Sequence, residues 1–303
     1  MSAPVRSEFV AANGLRFHVA VSEPPGGSDR LALFLHGFPE CAYSWRHQQP
    51  LLAELGYRAW APDLRGYGRT DRPPRVADYA IEHLLDDVDA LIDAANPRET
   101  VLLGHDWGGV IAWYFAMRRP ERLDRLVVMN LPHPACMERE LRTWEQRKRS
   151  WYALFFQLPW LPERLLAARN YRAIREAFRG MARDPSRFPD EVLDVYAREA
   201  ARPGALTAMV NYYRALLRGG ARRQVALGYP KIEVPTLLLW GDADLALGIE
   251  TTRGTDQYVS DLTFRTLPGV SHWVQQDAPE AVNEMLAAWL CGCEVPEAME
   301  LAS

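Results

Sequence analysis

VLLGHDWGG, residues 101–109, is a short apolar run closed by Gly104, a polar centre at His105-Asp106, and a glycine pair that opens the helical pattern Val110 to Met117. That order predicts a buried strand, a sharp turn and a helix. Gly104 and Gly108 stand two residues either side of Asp106 and leave room for a strained turn that pushes the central side chain into a pocket. An aspartate with the unperturbed pKa of about 3.9 is already a carboxylate at neutral pH, so Asp106 needs no base to act as a nucleophile. The product of its attack on carbon is an ester of the enzyme itself.

The 303 residues suit one large α/β domain carrying an insertion. A 48% hydrophobic share with 24% charged residues is ordinary for a globular enzyme, and the net charge of -4 argues against nucleic acid or an anionic membrane as partner. Lysine occurs only at Lys148 and Lys231, so nearly all 35 basic residues are arginine. The start, MSAPVRSEFVAANG, lacks the apolar core of a signal peptide, and no segment approaches the roughly 20 apolar residues of a membrane span. A cytoplasmic protein is expected. Cys41, Cys136, Cys291 and Cys293 are too scattered for a disulfide framework and lack partners at metal spacing, so neither metal nor cofactor is expected.

Along the chain, Glu8 to Ala11 and Leu15 to Ser22 alternate around Asn13-Gly14 and predict an antiparallel hairpin. Leu31 to Leu35 reads as a strand buried on both faces and ends at His36-Gly37-Phe38-Pro39-Glu40. A helix over Trp45 to Leu55, a strand over Arg58 to Pro62 and a helix over Ile81 to Ala94 follow, then the stretch at 101–109 and a strand over Leu126 to Asn130. From Pro132 to about Gly228 aromatic and arginine-rich helical stretches replace the alternation, which predicts an inserted helical lid. The core then occupies 1–131 and 229–303, with the lid at 132–228. In its second part, strands are expected over Thr236 to Trp240 and Leu262 to Leu267, with helices from about Glu250 and from Pro279 to Leu290. Such alternation gives a mostly parallel sheet whose ligand crevice lies at the carboxyl ends of its strands. The polar clusters at 36–40, 104–107, 241–244 and 269–273 all follow predicted strands and are expected to converge.

The cluster Gly241-Asp242-Ala243-Asp244 offers two acids, of which Asp244 sits deeper in its loop; Asp242 is the alternative. Among seven histidines, His272 has the best context, after a strand and before the last helix. His18, His47 and His83 fall on strand or helix faces, His105 flanks Asp106 and points into packing, and His133 has no assigned role. Asp106, Asp244 and His272 occur in the order nucleophile, acid, histidine that α/β-hydrolases use. With a carboxylate nucleophile, His272 is needed only to take a proton from the water that attacks the ester, with Asp244 holding its ring. The oxyanion formed on Asp106 calls for the backbone N–H groups of Trp107 and Phe38, the latter in a loop that Pro39 fixes, with a cis bond expected there.

HGFPE at 36–40, GHDWGG at 104–109, WGDAD at 240–244 and SHWVQQDAPEAVNEML at 271–286 resemble the α/β-hydrolase-fold epoxide hydrolases, over nearly the whole chain. The resemblance implies two lid tyrosines that hydrogen-bond the epoxide oxygen and protonate the departing alkoxide. WYALFFQ at 151–157 and NYYR at 211–214 match the segments that bear them, which gives Tyr152 and Tyr213, with Tyr212 pointing elsewhere. It implies a vicinal diol as product; the lid aromatics Trp144, Trp151, Phe155, Phe156 and Trp160 point to a small apolar or aryl epoxide as substrate, with His36, Pro39, Trp107, Phe155 and Trp273 against it. A monomer or homodimer with neither nucleic acid nor membrane as partner is expected. Haloalkane dehalogenases use the same aspartyl ester but often carry asparagine where this chain has Phe38, and fluoroacetate dehalogenases carry arginines where it has Trp107 and Val110. A hydrolase-like receptor that kept the pocket and lost turnover is the reading from a different class.

Overall fold

Asn13 and Gly14 both take positive φ, 47° and 71°, the geometry of a two-residue hairpin turn whose twist matches its strands. They join β1 (Arg6–Ala12) to β2 (Leu15–Ser22). The computed structural model describes residues 4–298, so the outermost ends of the chain, 1–3 and 299–303, lie outside the described residues. Six further strands complete one sheet: β3 (Arg30–Leu35), β4 (Arg58–Pro62), β5 (Glu99–His105), β6 (Arg125–Met129), β7 (Thr236–Gly241) and β8 (Leu262–Leu267). Their order is β1-β2-β4-β3-β5-β6-β7-β8. β1 with β2 and β2 with β4 are antiparallel, and the rest of the sheet is parallel.

The central strands read as unbroken apolar runs because helices cover both faces. Leu31, Leu33, Leu35 and Leu102 face one core with α2 (Ile81–Ala95), which follows α1 (Gln48–Glu54), and with α3 (Trp107–Arg118). Ala32, Phe34, Val101 and Leu103 face the other core, with α1 and residues of the C-terminal helices. The period of two along each strand thus sorts its side chains between two layers.

Between β6 and β7 the described residues form no strand. The helices there are α4 (Pro134–Glu140), α5 (Trp144–Arg149), α6 (Trp151–Phe155), α7 (Leu161–Arg179), α8 (Asp190–Ala200), α9 (Ala205–Ala215) and α10 (Ala221–Ala226). α7 is interrupted at Ala168, Arg169, Asn170 and Tyr171, the last three at positive φ. After β8 come α11 (Val274–Asp277) and α12 (Pro279–Leu290). No helix among the described residues is long and apolar enough to cross a membrane.

Two expected helices differ. The one placed over Trp45 to Leu55 begins only at Gln48, after a short 3₁₀ turn at Ala42–Trp45, and Pro50 falls in its first turn where no N–H is needed. The helix expected from Glu250 is instead two 3₁₀ turns, Ile249–Thr252 and Thr255–Gln257. Gly254 at φ 79° breaks the chain between them, and the hydroxyls of Thr251, Thr252 and Thr255 each donate to the carbonyl three residues back, a local alternative to continued α-helix.

Candidate active site

Asp106 sits between β5 and α3 at φ 47°, ψ -119°, a conformation that costs a non-glycine residue about 1–3 kcal/mol and holds only where its surroundings fix it. The helix behind it fits because Gly108 has no side chain: a Cβ there would lie 1.9 Å from the backbone oxygen of Leu35. Strand β3 and α3 therefore touch backbone to backbone. The turn aims the Asp106 carboxylate into a cavity of about 900 Å³.

Asp106 Oδ1 accepts from the backbone N–H of Phe38 at 2.8 Å. Its Oδ2 lies 3.5 Å from Nε2 of His272, whose Nδ1 donates to Asp244 Oδ2 at 2.6 Å. Asp244 is buried and fully engaged, accepting also from the Asn130 amide at 2.9 Å and from the N–H groups of Ala246 and Leu247 at 2.8 and 2.9 Å. Asp242 is exposed and accepts instead from the Gly269 N–H. Between the two candidate acids, the structure brings Asp244 to His272.

Burial works against charge on all three groups, but their mutual attraction wins. Burial would lower the pKa of His272, yet Asp244 and Asp106 on its two nitrogens raise it to about 10. Burial would raise Asp106 and Asp244, yet His272 holds both below the usual carboxylate range. At neutral pH the resting site is a cationic imidazole between two carboxylates.

Above it, Tyr152 of α6 and Tyr213 of α9 line the same cavity as Asp106, their rings 5.9 Å apart at 81°. Burial first, and then the Asp106 charge, raise both phenols well above their ordinary value, so both stay protonated. Tyr212 turns away, donating to the Arg65 carbonyl at 2.8 Å among Tyr67, Tyr79 and Trp107. Trp107 lines the cavity beside Asp106, and its ring meets Tyr213 edge-on at 5.0 Å.

Four residues expected against substrate are not among those lining the cavity. His36 is fully buried, its Nε2 accepting from the Leu64 N–H at 3.0 Å, so it stitches two loops together. Pro39 is buried behind Phe38, and the Phe38-Pro39 bond is cis. Phe155 packs on Trp151 and Phe156, since consecutive aromatics on a helix point about 100° apart and only some reach the cavity. Trp273 packs tilted against Phe178 at 4.3 Å and donates to the Ala177 carbonyl, filling space beside His272.

Sequence reasoning missed the groups that hold these loops together. Glu40 is completely buried and accepts from His105 at 2.9 Å, from the Gly37 N–H at 2.8 Å, and from the amides of Gln275 and Gln276 at 2.9 and 2.7 Å. His105 also donates through Nε2 to the His272 carbonyl at 2.8 Å, so the Phe38 loop, the Asp106 turn and the His272 loop share one buried network. Asn130, at φ 41° just past β6, ties Gly241 to Asp244. A polar residue ending an apolar strand was its only sequence signal. Among the described residues no group of three or more His, Cys, Asp or Glu side chains is arranged to hold a metal ion.

An acid-bearing turn after the fifth strand of such a sheet, facing a histidine held by an acid after the seventh, defines an α/β-hydrolase-type protein. The chain belongs to the α/β-hydrolase fold family, whose sequence profile matches residues 33–279. It is 36% identical over 288 residues to an AB hydrolase superfamily protein of Bacillus subtilis, covering 94% of this chain and 98% of that one. It is 38% identical over 286 residues to human epoxide hydrolase 4, covering 92% of this chain and 76% of that one. The crystal structure of a mutant epoxide hydrolase from Bacillus megaterium superposes with a TM-score of 0.84 at 29% identity, covering 94% of this chain and 100% of that one.

Proposed function

We propose that the protein is an epoxide hydrolase that adds water to a small apolar or aryl epoxide through an ester on Asp106, with the helices from α4 to α10 acting as its lid. One observation carries the reading: a carboxylate held at φ 47° shares a largely apolar cavity with two protonated phenols. An epoxide oxygen departs as an alkoxide still attached to carbon, so it needs a proton donor on the side opposite the nucleophile. Tyr152 and Tyr213 meet that need, and their acidity rises when it is wanted, because attack by Asp106 cancels the negative charge that opposes ionisation of each phenol.

The second half follows from the loss of that same charge. Once Asp106 is an ester, His272 keeps one carboxylate partner instead of two, and its pKa falls from about 10 toward the range of a general base. The imidazolium first gives up its proton, which restores the phenol that protonated the alkoxide; neutral His272 then takes a proton from water as that water attacks Cγ of Asp106. The Phe38 N–H, already 2.8 Å from Asp106 Oδ1, and the Trp107 N–H at the start of α3 receive the oxyanion. The bond from Asp106 oxygen to Cγ breaks, and the diol leaves with one enzyme oxygen.

A single turnover in ¹⁸O-labelled water tests this. The first diol should carry no label while Asp106 acquires it. Label in the first diol means that water attacked the epoxide directly, and no diol from any simple epoxide removes the reading.

A further inference from the structure

Ten of the fourteen exposed large apolar side chains among the described residues lie between Leu141 and Leu227. They include Trp144 at 65%, Trp151 at 60%, Trp160 at 60% and Leu154 at 71% exposure. Trp144, Trp151, Leu154 and Leu217 are both exposed and lining the cavity that contains Asp106, so they ring its mouth. Exposed apolar side chains gathered around one cavity mouth mark an interaction site.

Its charge is opposite to that of the chain. From 141 to 169 there are six basic residues against two acidic, one of which, Glu163, is taken by Arg214, whereas the whole chain carries -4. The cations are interleaved with the aromatics: the Lys148 ammonium lies 5.3 Å over the Trp144 ring and the Arg164 guanidinium 4.8 Å over the Trp160 ring. Arg147, Lys148 and Arg164 are exposed and pair with no carboxylate among the described residues. Arg147 and Lys148 line the same cavity as Trp144, Trp151, Leu154 and Leu217, and tryptophan, leucine and basic side chains around one opening are what a water–hydrocarbon boundary with anionic headgroups takes up.

We propose that this face docks the protein on an anionic lipid surface, with the cavity mouth turned toward the bilayer. A second copy seated on the same patch brings two cationic faces together, which disfavours it. A nucleic acid strand satisfies the charges but leaves the leucines uncovered. The sequence expectation of no membrane partner rested on the net charge, which averages over faces of opposite sign. That docking feeds the site with lipid-dissolved epoxides rests on the reading above; the docking itself does not.

The test is sedimentation of the full chain with vesicles rich in phosphatidylglycerol or made of phosphatidylcholine alone, read as bound fraction and independent of turnover. Wild type should pellet with the anionic vesicles at low salt, with blue-shifted tryptophan emission, and be released as salt rises. Each basic side chain at the surface contributes about fivefold, so the double variant Arg147→Glu, Lys148→Glu should lose at least about 25-fold in partition. Trp144→Ser with Trp151→Ser should lose a similar factor, and if that pair compromises folding the charge variant still decides. Wild type remaining in the supernatant, equal binding to both vesicle types, or variants that bind like wild type overturn the proposal. So does a stable dimer in vesicle-free solution that the tryptophan variant dissociates.

Discussion

Nε2 of His272 stands 3.5 Å from Asp106 Oδ2, too long for a strong hydrogen bond yet close enough for each charge to reset the other's pKa. In the proposed reaction the pair is an attacking carboxylate and its later base, and the distance leaves Asp106 free to move onto carbon.

Replacing His272 with Gln should leave ester formation possible and stop its hydrolysis. Mixed with an epoxide, His272→Gln should gain the mass of one substrate on Asp106, while steady-state turnover falls by about 10²–10⁴-fold. A variant that turns over normally, or that never forms the adduct, contradicts the assigned role.

The pH dependence follows from the same pair. In the resting enzyme the His272 pKa is near 10, above its ordinary 6.5, so its stabilising contribution is fully present below pH 6.5 and is lost as pH rises through about 10. The melting-temperature gap between wild type and His272→Gln should shrink over that window. In single turnovers, ester hydrolysis should speed up with pH through a pKa below 10, because the ester has removed one carboxylate. A hydrolysis pKa still at 10 sinks this account.

In the proposed mechanism the two phenols act on the first step only. Tyr152→Phe and Tyr213→Phe should each slow ester formation by about 10–10²-fold and the double variant by more, with hydrolysis of a preformed ester unchanged. Stopped-flow tryptophan fluorescence separates the steps, since Trp107 adjoins both Asp106 and Tyr213. A double variant that alkylates at the wild-type rate rules out both donors.

The turn at Asp106 depends on backbone contact. In Gly108→Ala the new Cβ meets the Leu35 oxygen at 1.9 Å, which neither chain segment can avoid, and a loss above about 4 kcal/mol or failure to fold is expected. In neighbouring Gly109→Ala the nearest atom is the Leu131 Cβ at 2.9 Å, with Leu131 Cδ2 and Val128 Cγ1 at 3.2 Å, so a smaller displacement relieves the contact and this variant should lose less stability than Gly108→Ala. Thermal melts of the two variants decide; equal stability contradicts the packing argument.

The strands were readable because local pattern encodes them. Apolar runs of strand length bounded by glycine gave β3, β5 and β7, the Asn13-Gly14 dipeptide gave the first hairpin, and the spacing around Asp106 gave its turn. The stretch after Gly248 was misread because threonine hydroxyls compete with the helix for backbone carbonyls, an outcome that the apolar pattern does not register.

By itself, the sequence determined that a carboxylate stands on a strand-to-helix turn and that acid and histidine clusters follow later strands, since these depend on residues adjacent in the chain. Only the tertiary structure decided that Asp244 rather than Asp242 meets His272, that Glu40 and His105 lock three loops together, and that His36 and Trp273 turn away from the cavity. Those relationships join segments up to 236 residues apart. They are set by sheet register and by which buried donor finds which acceptor, and local periodicity contains neither.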